Sequence, residues 1–223
     1  VCLTLAESLA PMAVNASTVH YNDGTKVTSD ASFSDWSTEW NKVSADYTKV
    51  SMTPGADETK LNFAWMTKKD SKNAATPVVL FGTGKKNLKK FTGTVENADS
   101  KLTGGVQYVS NKVTVTGLKA NTKYYYTVVK NGKEAPVRSY TTGSFDDIKL
   151  LYVGDPQIGA SKGQPQGSEK LAAADGAANT AARNDAYEWD RTLKIASGLN
   201  KDLNFIISAG DQVNKTGKAK EEE

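Results

Sequence analysis

Leu118-Lys119-Ala120-Asn121-Thr122-Lys123-Tyr124-Tyr125-Tyr126-Thr127-Val128-Val129 is a turn that runs straight into a strand. Asn121 and Thr122 suit a turn, and the aromatic and β-branched residues after them suit a pleated, half-buried surface. A Tyr run directly behind such a turn is the pattern of a tyrosine corner, in which a phenolic hydroxyl ties its strand back to the preceding turn. The corner occurs in antiparallel sandwiches, so this stretch predicts one.

The flanking sequence agrees. Val50-Ser51-Met52, Leu61-Asn62-Phe63-Ala64-Trp65, Val78-Val79-Leu80-Phe81, Val106-Gln107-Tyr108-Val109 and Val113-Thr114-Val115 precede the corner, and Val137 to Tyr140 follows it. Seven or so short strands separated by turn residues between Lys49 and Thr142 imply an antiparallel β-sandwich. Phe63 and Trp65 are two apart and face inward together. Asn131-Gly132 predicts a hairpin between the last two strands. Lys85-Lys86-Asn87-Leu88-Lys89-Lys90 reads as a solvated turn, with a phosphate or polyanion patch as the alternative.

Ahead of the sandwich, residues 17–46 are polar and carry Trp36 and Trp40 on one face of a short helix. That face is expected to pack against the following domain, the alternative being a carbohydrate-stacking platform. Residues 1–16 are rich in Ala and Leu and end Ala13-Val14-Asn15-Ala16-Ser17, which reads as a signal-peptide remnant, with a mature N-terminal helix as the other reading. A remnant implies a secreted or cell-surface protein. No run approaches the ~18 apolar residues that a membrane span needs.

Composition narrows the function classes. The 223 residues, 38% hydrophobic and 24% charged, suit two ordinary soluble domains. The 28 basic and 25 acidic residues are interspersed, so no nucleic-acid footprint stands out. One cysteine, Cys2, excludes an internal disulfide framework and a Cys-based zinc site. His20 is the only histidine and reads as a surface residue, so no Ser/His/Asp or Cys/His triad is expected from the chain's own residues.

After Gly143 the pattern changes. Ile148 to Val153 and Leu203 to Ser208 are dense apolar runs of the kind buried on both faces of a parallel sheet. Between them Ala186, Trp189, Leu193, Ala196 and Leu199 form a helical stripe that Asn184 can cap. This predicts a βαβ unit with parallel strands. Each apolar run ends in Gly-Asp: Gly154-Asp155-Pro156-Gln157 and Gly210-Asp211-Gln212-Val213-Asn214. In a parallel unit both strands end on the same edge, which brings Asp155 and Asp211 together, and two convergent carboxylates suit hard or borderline metal ions. Residues 159–183 read as a mobile loop, with a lid as the alternative.

Met52-Thr53-Pro54-Gly55, Phe63-Ala64-Trp65-Met66-Thr67, Val78 to Gly82, Tyr124-Tyr125-Tyr126 and Tyr140-Thr141-Thr142 resemble, in that order, the fibronectin type III-like N-terminal domain of purple acid phosphatases. The two Gly-Asp motifs resemble the opening motifs of the calcineurin-like metallophosphoesterases, the superfamily to which those phosphatases belong. The resemblance implies a two-domain chain: the polar segment 17–46, an all-β sandwich over 47–143, and the start of an α/β phosphoesterase domain over 147–223. It also implies a dinuclear metal centre of iron, zinc or manganese, with Asp155 on one metal, Asp211 bridging two and Gln157 as a third ligand.

The departures matter too. Asp155-Pro156-Gln157 stands where much of the superfamily has Asp-x-His, so an amide oxygen replaces an imidazole nitrogen or the ligand is lost. Asn214 occupies the position of the purple enzymes' tyrosine, so no purple colour is expected, and Asn214 is left as a supporting side chain near the ligands. The family's Asn-His and later histidines have no counterpart here, and the catalytic residues are unassigned. The expectation is the N-terminal part of a phosphoester hydrolase, inactive alone and completed by further sequence or another chain. A secreted binding module that uses the sandwich is the alternative. A mononucleotide-binding βαβ is a weaker third reading, since no Gly-rich phosphate loop follows either strand.

Overall fold

The computed structural model describes residues 30–44, 46–69, 76–101, 105–130, 132–163, 165–166, 169–170 and 180–215. In chain order the elements are α1 (Phe33–Val43), β1 (Ser51–Pro54), β2 (Lys60–Lys68), β3 (Val78–Gly82), β4 (Lys89–Thr92), β5 (Thr94–Asn97), β6 (Tyr108–Thr116), β7 (Lys123–Lys130), β8 (Lys133–Glu134), β9 (Arg138–Thr141), β10 (Leu150–Val153), β11 (Pro165–Gln166), β12 (Glu169–Lys170), α2 (Thr180–Leu199) and β13 (Phe205–Ser208). Two compact units result. One contains Tyr47–Val153 and Asn200–Ser208; the other contains α1, Gly154–Leu199 and residues 209–215. The expected signal remnant 1–16, His20, Asn131 and the tail after Lys215 lie outside the described residues, as does 171–179 of the expected loop.

In the first unit, β1-β2-β6-β5 form one antiparallel sheet, and β4-β3-β7 form another whose far edge is shared by β8 and β9. Strict alternation along β2, in which Leu61, Phe63, Trp65 and Thr67 are buried and their neighbours are not, makes one face apolar. That face meets Val79 and Phe81 of β3 and Tyr124, Tyr126 and Val128 of β7 in one core. The rings of Phe63 and Tyr126 lie 5.1 Å apart and those of Phe81 and Tyr124 4.8 Å apart. Each large side chain buried there contributes ~1.5–3 kcal/mol.

The corner forms as the sequence predicts. The Lys119 N–H donates to the Tyr124 hydroxyl at 2.8 Å, and Asn121 supplies the left-handed turn residue with φ 50°. Thr142, buried at 4% exposure, closes the other side by accepting from the Thr122 N–H at 2.9 Å and donating to the Lys119 carbonyl at 2.6 Å.

Two readings change. Val106–Val109 and Val113–Val115 are parts of one strand, β6, because β2 pairs with it continuously from Lys60↔Thr116 to Lys68↔Tyr108, which leaves Val106 outside and 43% exposed. Lys89 and Lys90 are not turn residues; they open β4, paired with Phe81 and Leu80. β5 follows at once in the other sheet, and Gly93 is the crossing point, where a Cβ would lie 1.8 Å from the Lys112 carbonyl oxygen. Only glycine permits so close an approach.

β10 and β13 pair in parallel, Leu150↔Phe205 to Val153↔Ser208. Asn204 secures their start: its backbone N–H donates to the Lys149 carbonyl at 2.8 Å, and its side-chain oxygen accepts from the Lys149 N–H at 2.9 Å. Ile148, Leu150 and Tyr152 are 50%, 44% and 67% exposed, the apolar surface that one helix and two strands are expected to leave uncovered. A pair of strands offers too little surface to cover two faces.

In the second unit, α2 begins at Thr180, so Asn184 is not its cap; it sits inside the helix at 1% exposure. The buried side of α2 also differs from the predicted stripe. It comprises Thr180, Ala181, Ala182, Asn184, Tyr187 and Leu193, while Leu199 is 79% exposed. The reason is α1, whose Phe33 and Trp36 rings meet Tyr187 edge-on at 5.2 and 5.3 Å. Trp36 and Trp40 do share a face, stacked at 5.3 Å, and their partner is α2. Ser32 joins the helices through its hydrogen bond with the Tyr187 hydroxyl, and both the N–H and hydroxyl of Ser32 donate to Asp30. No helix among the described residues is long and apolar enough to cross a membrane.

Candidate metal centre

The two Gly-Asp motifs lie in the second unit and are bound to each other. Beyond the strands the chain continues as two loops that keep a parallel pairing, with an isolated bridge between Ile158 and Val213. The Gln157 N–H donates to the Asp211 carbonyl at 2.8 Å, the Ile158 N–H to the Gln212 carbonyl at 3.2 Å, and the Asn214 N–H to the Ile158 carbonyl at 3.0 Å. Three backbone hydrogen bonds thus hold Gln157 beside Asp211. The Gln157 side-chain nitrogen approaches the Asp211 Oδ2 at 3.4 Å. Asn214 takes part through its backbone, and its side chain is exposed.

The backbone here is strained. Among the described residues five non-glycine positions have positive φ, and three of them are Asp155 (47°), Gln157 (42°) and Asp211 (40°). The other two, Asn87 and Asn121, are asparagines, the residue that enters this region most readily. Left-handed backbone costs a residue with a Cβ about 1–2 kcal/mol, a figure that applies in full to Gln157 and in smaller measure to Asp155 and Asp211, since Asp like Asn enters this region more readily, and such conformations concentrate at functional sites. The backbone therefore singles out the three residues that the motifs single out, independently of their side-chain chemistry.

α2 adds a residue that sequence reasoning missed. Asp185 accepts the Gly159 N–H at 2.8 Å and the Ser161 N–H at 3.3 Å, which fastens the loop immediately after Gln157. One carboxylate on a helix carries no sequence pattern that could have found it. Beside it, the Asn184 side-chain oxygen accepts from Arg183 at 2.9 Å, while its buried side-chain nitrogen has no partner among the described residues.

Asp155 and Asp211 are both exposed, so their oxygens are accessible to a cation. They suit a hard metal ion, and Gln157 could add an amide oxygen by turning its side chain over. Among the described residues, however, no three His, Cys, Asp or Glu residues converge on one point. These donors fit one edge of a metal centre and not a complete dinuclear one. The recess lined by Val50, Tyr126, Lys130 and Arg138 belongs to the sandwich and contains none of them.

Residues 47–142 match the family model of the purple acid phosphatase N-terminal domain. That match agrees with the sandwich and stops before either Gly-Asp motif. A solved purple acid phosphatase isolated from yellow lupin (Lupinus luteus) seeds is similar in fold, with a TM-score of 0.50 and 14% identity. The similarity covers 77% of this chain and 30% of that one. At this identity the likeness concerns fold, and its 77% coverage reaches beyond the sandwich; this chain corresponds to about 30% of that protein's length. No curated protein matches.

Proposed function

We propose that this chain is the N-terminal part of a metal-dependent phosphoester hydrolase, acid phosphatase-like or phosphodiesterase-like, in which a fibronectin type III-like sandwich precedes the opening of a calcineurin-like catalytic domain. The observation that carries this reading is the paired loop, in which hydrogen bonds hold Gln157 beside Asp211 and both share with Asp155 a strained backbone. Strain of this kind persists where a rigid geometry serves a ligand. A secreted or cell-surface location accompanies the proposal, supported by the N-terminal composition and the type of domain.

Asp155 and Asp211 would hold the metal, with Gln157 as the neutral third donor. A bound centre would supply Lewis acidity toward a phosphoryl oxygen and lower the pKa of water. This chain's residues contribute the anionic edge and its positioning: the Ile158–Val213 bridge sets the spacing of the loops, and Asp185 fixes the turn behind Gln157. With one histidine in 223 residues, the imidazole donors and the leaving-group acid come from outside the chain, and the chain alone is inactive.

The reading frame beyond Glu223 should encode Asn-His and Gly-His-x-His motifs, and their absence would reject the proposal. If they are present, Asp211→Ala in the longer protein should abolish both metal content and hydrolysis of an aryl phosphate. Metal loss with hydrolysis intact would remove Asp211 from the mechanism.

A further inference from the structure

Three strands of the sandwich concentrate lysines. Strands β3, β4 and β7, with the turn joining the first two, contain Lys85, Lys86, Lys89, Lys90, Lys123 and Lys130 and no carboxylate. In the opposite sheet, two lysines are paired with acids: Lys60 with Asp57 at 2.6 Å and Lys112 with Glu96 at 2.5 Å. Lys85, Lys86, Lys89, Lys90 and Lys123 are exposed and make no ion pair among the described residues. Folding also brings Lys123 to the turn lysines. Tyr125 pairs with Gly82 at the mouth of the turn, and the ammonium groups of Lys85 and Lys123 each lie 5.7 Å from the centre of its ring. Lys89 lies 5.1 Å from the ring of Phe91. Aromatic rings hold the long side chains over the surface and reduce the entropy lost on binding.

We propose that this end of the β4-β3-β7 sheet is a binding surface for an acidic polysaccharide. The charge is complementary to a polyanion, and the lysines are point charges that accept anions of varied spacing and geometry. Nucleic acid fits less well. The patch has no guanidinium fork for phosphates, and ammonium groups already sit over the Tyr125 ring that a base would need for stacking. A membrane fits less well too, because none of the exposed large apolar side chains lies in the β3–β4 turn to anchor it. The proposal concerns the sandwich and is independent of the metal-centre reading.

The test measures binding of the full 223-residue chain to dextran sulfate, with neutral dextran, duplex DNA and anionic phosphatidylserine vesicles as comparisons. Dextran sulfate should bind, neutral dextran should not, and affinity should fall with added salt. Lys85→Gln with Lys123→Gln should weaken binding about tenfold, whereas Lys60→Gln with Lys112→Gln, which removes the same charge from the other sheet, should leave it within about twofold. Equal losses in the two double variants would show that net charge alone drives binding and overturn the proposal. Stronger binding to DNA or to vesicles than to dextran sulfate would overturn it as well. Lys85, Lys112 and Lys123 are exposed and Lys60 is half-buried, and far-UV circular dichroism checks that each variant is folded. Tyr125→Leu, which leaves every charge in place, should weaken binding by releasing the two lysines; unchanged binding would remove the ring from the site.

Discussion

The sandwich core and the paired Gly-Asp loops place their side chains in opposite ways. In the core, Phe63, Val79 and Val115 are exposed by no more than 1%. Strand alternation, cross-strand pairing and the corner hydrogen bond all favour the same arrangement there. In the loops Asp155 and Asp211 are exposed and Gln157 is half-buried, and all three occupy left-handed backbone, the region that favours glycine. The contrast separates residues chosen for burial from residues retained despite strain.

The strongest way to break the comparison is at the core. Phe63→Ala should destabilise the protein by about 3–5 kcal/mol, read from the urea midpoint followed by tryptophan fluorescence. A loss under about 1 kcal/mol would mean that the core is not the source of stability. The loops should respond in the reverse direction. Asp211→Gly relieves a positive φ and should be more stable than Asp211→Ala by about 1 kcal/mol, because both variants lack the carboxylate and differ mainly in the Cβ. Equal stability of these two variants would remove the claim of strain.

A smaller effect lies at the contact between α1 and α2. Burial pushes the Tyr187 hydroxyl up to about 12 from 10.0, with nearby Asp30 adding to the rise and the Ser32 hydrogen bond opposing it. The folded protein therefore holds this proton more tightly than the unfolded chain. The associated stability is intact below pH 10 and disappears as pH rises from 10 toward 12. Across that window wild type should lose more stability than Tyr187→Phe; parallel curves would show that Tyr187 does not titrate as described.

Much of this molecule was legible in its sequence. Alternation at Leu61, Phe63 and Trp65 and the turn before Tyr124 are local signals, and both survive folding unchanged. The parallel pairing of β10 with β13 was legible from two apolar runs flanking a helical pattern, and with it the meeting of the two motifs. Asn184 was misread because capping preference is local, whereas the start of α2 and its buried side depend on α1 packing against Tyr187. Lys89 and Lys90 were misread for a related reason: lysine favours solvent, yet the ladder to Phe81 and Leu80 extends the strand through them. Asp185 gave no sign at all, since only the folded loop reveals which helix carboxylate its N–H groups meet.

By itself, then, the sequence determined the strand alternation, the corner and the residue types at the ends of the two apolar runs, because these depend on side-chain period and turn chemistry within a few residues. The tertiary structure decided which residues of α2 are buried, placed Lys123 beside Lys85 over one ring, and put Asp155, Gln157 and Asp211 into strained backbone. Those outcomes depend on segments far apart in the chain, and their physical cause is packing and pairing that no local pattern encodes.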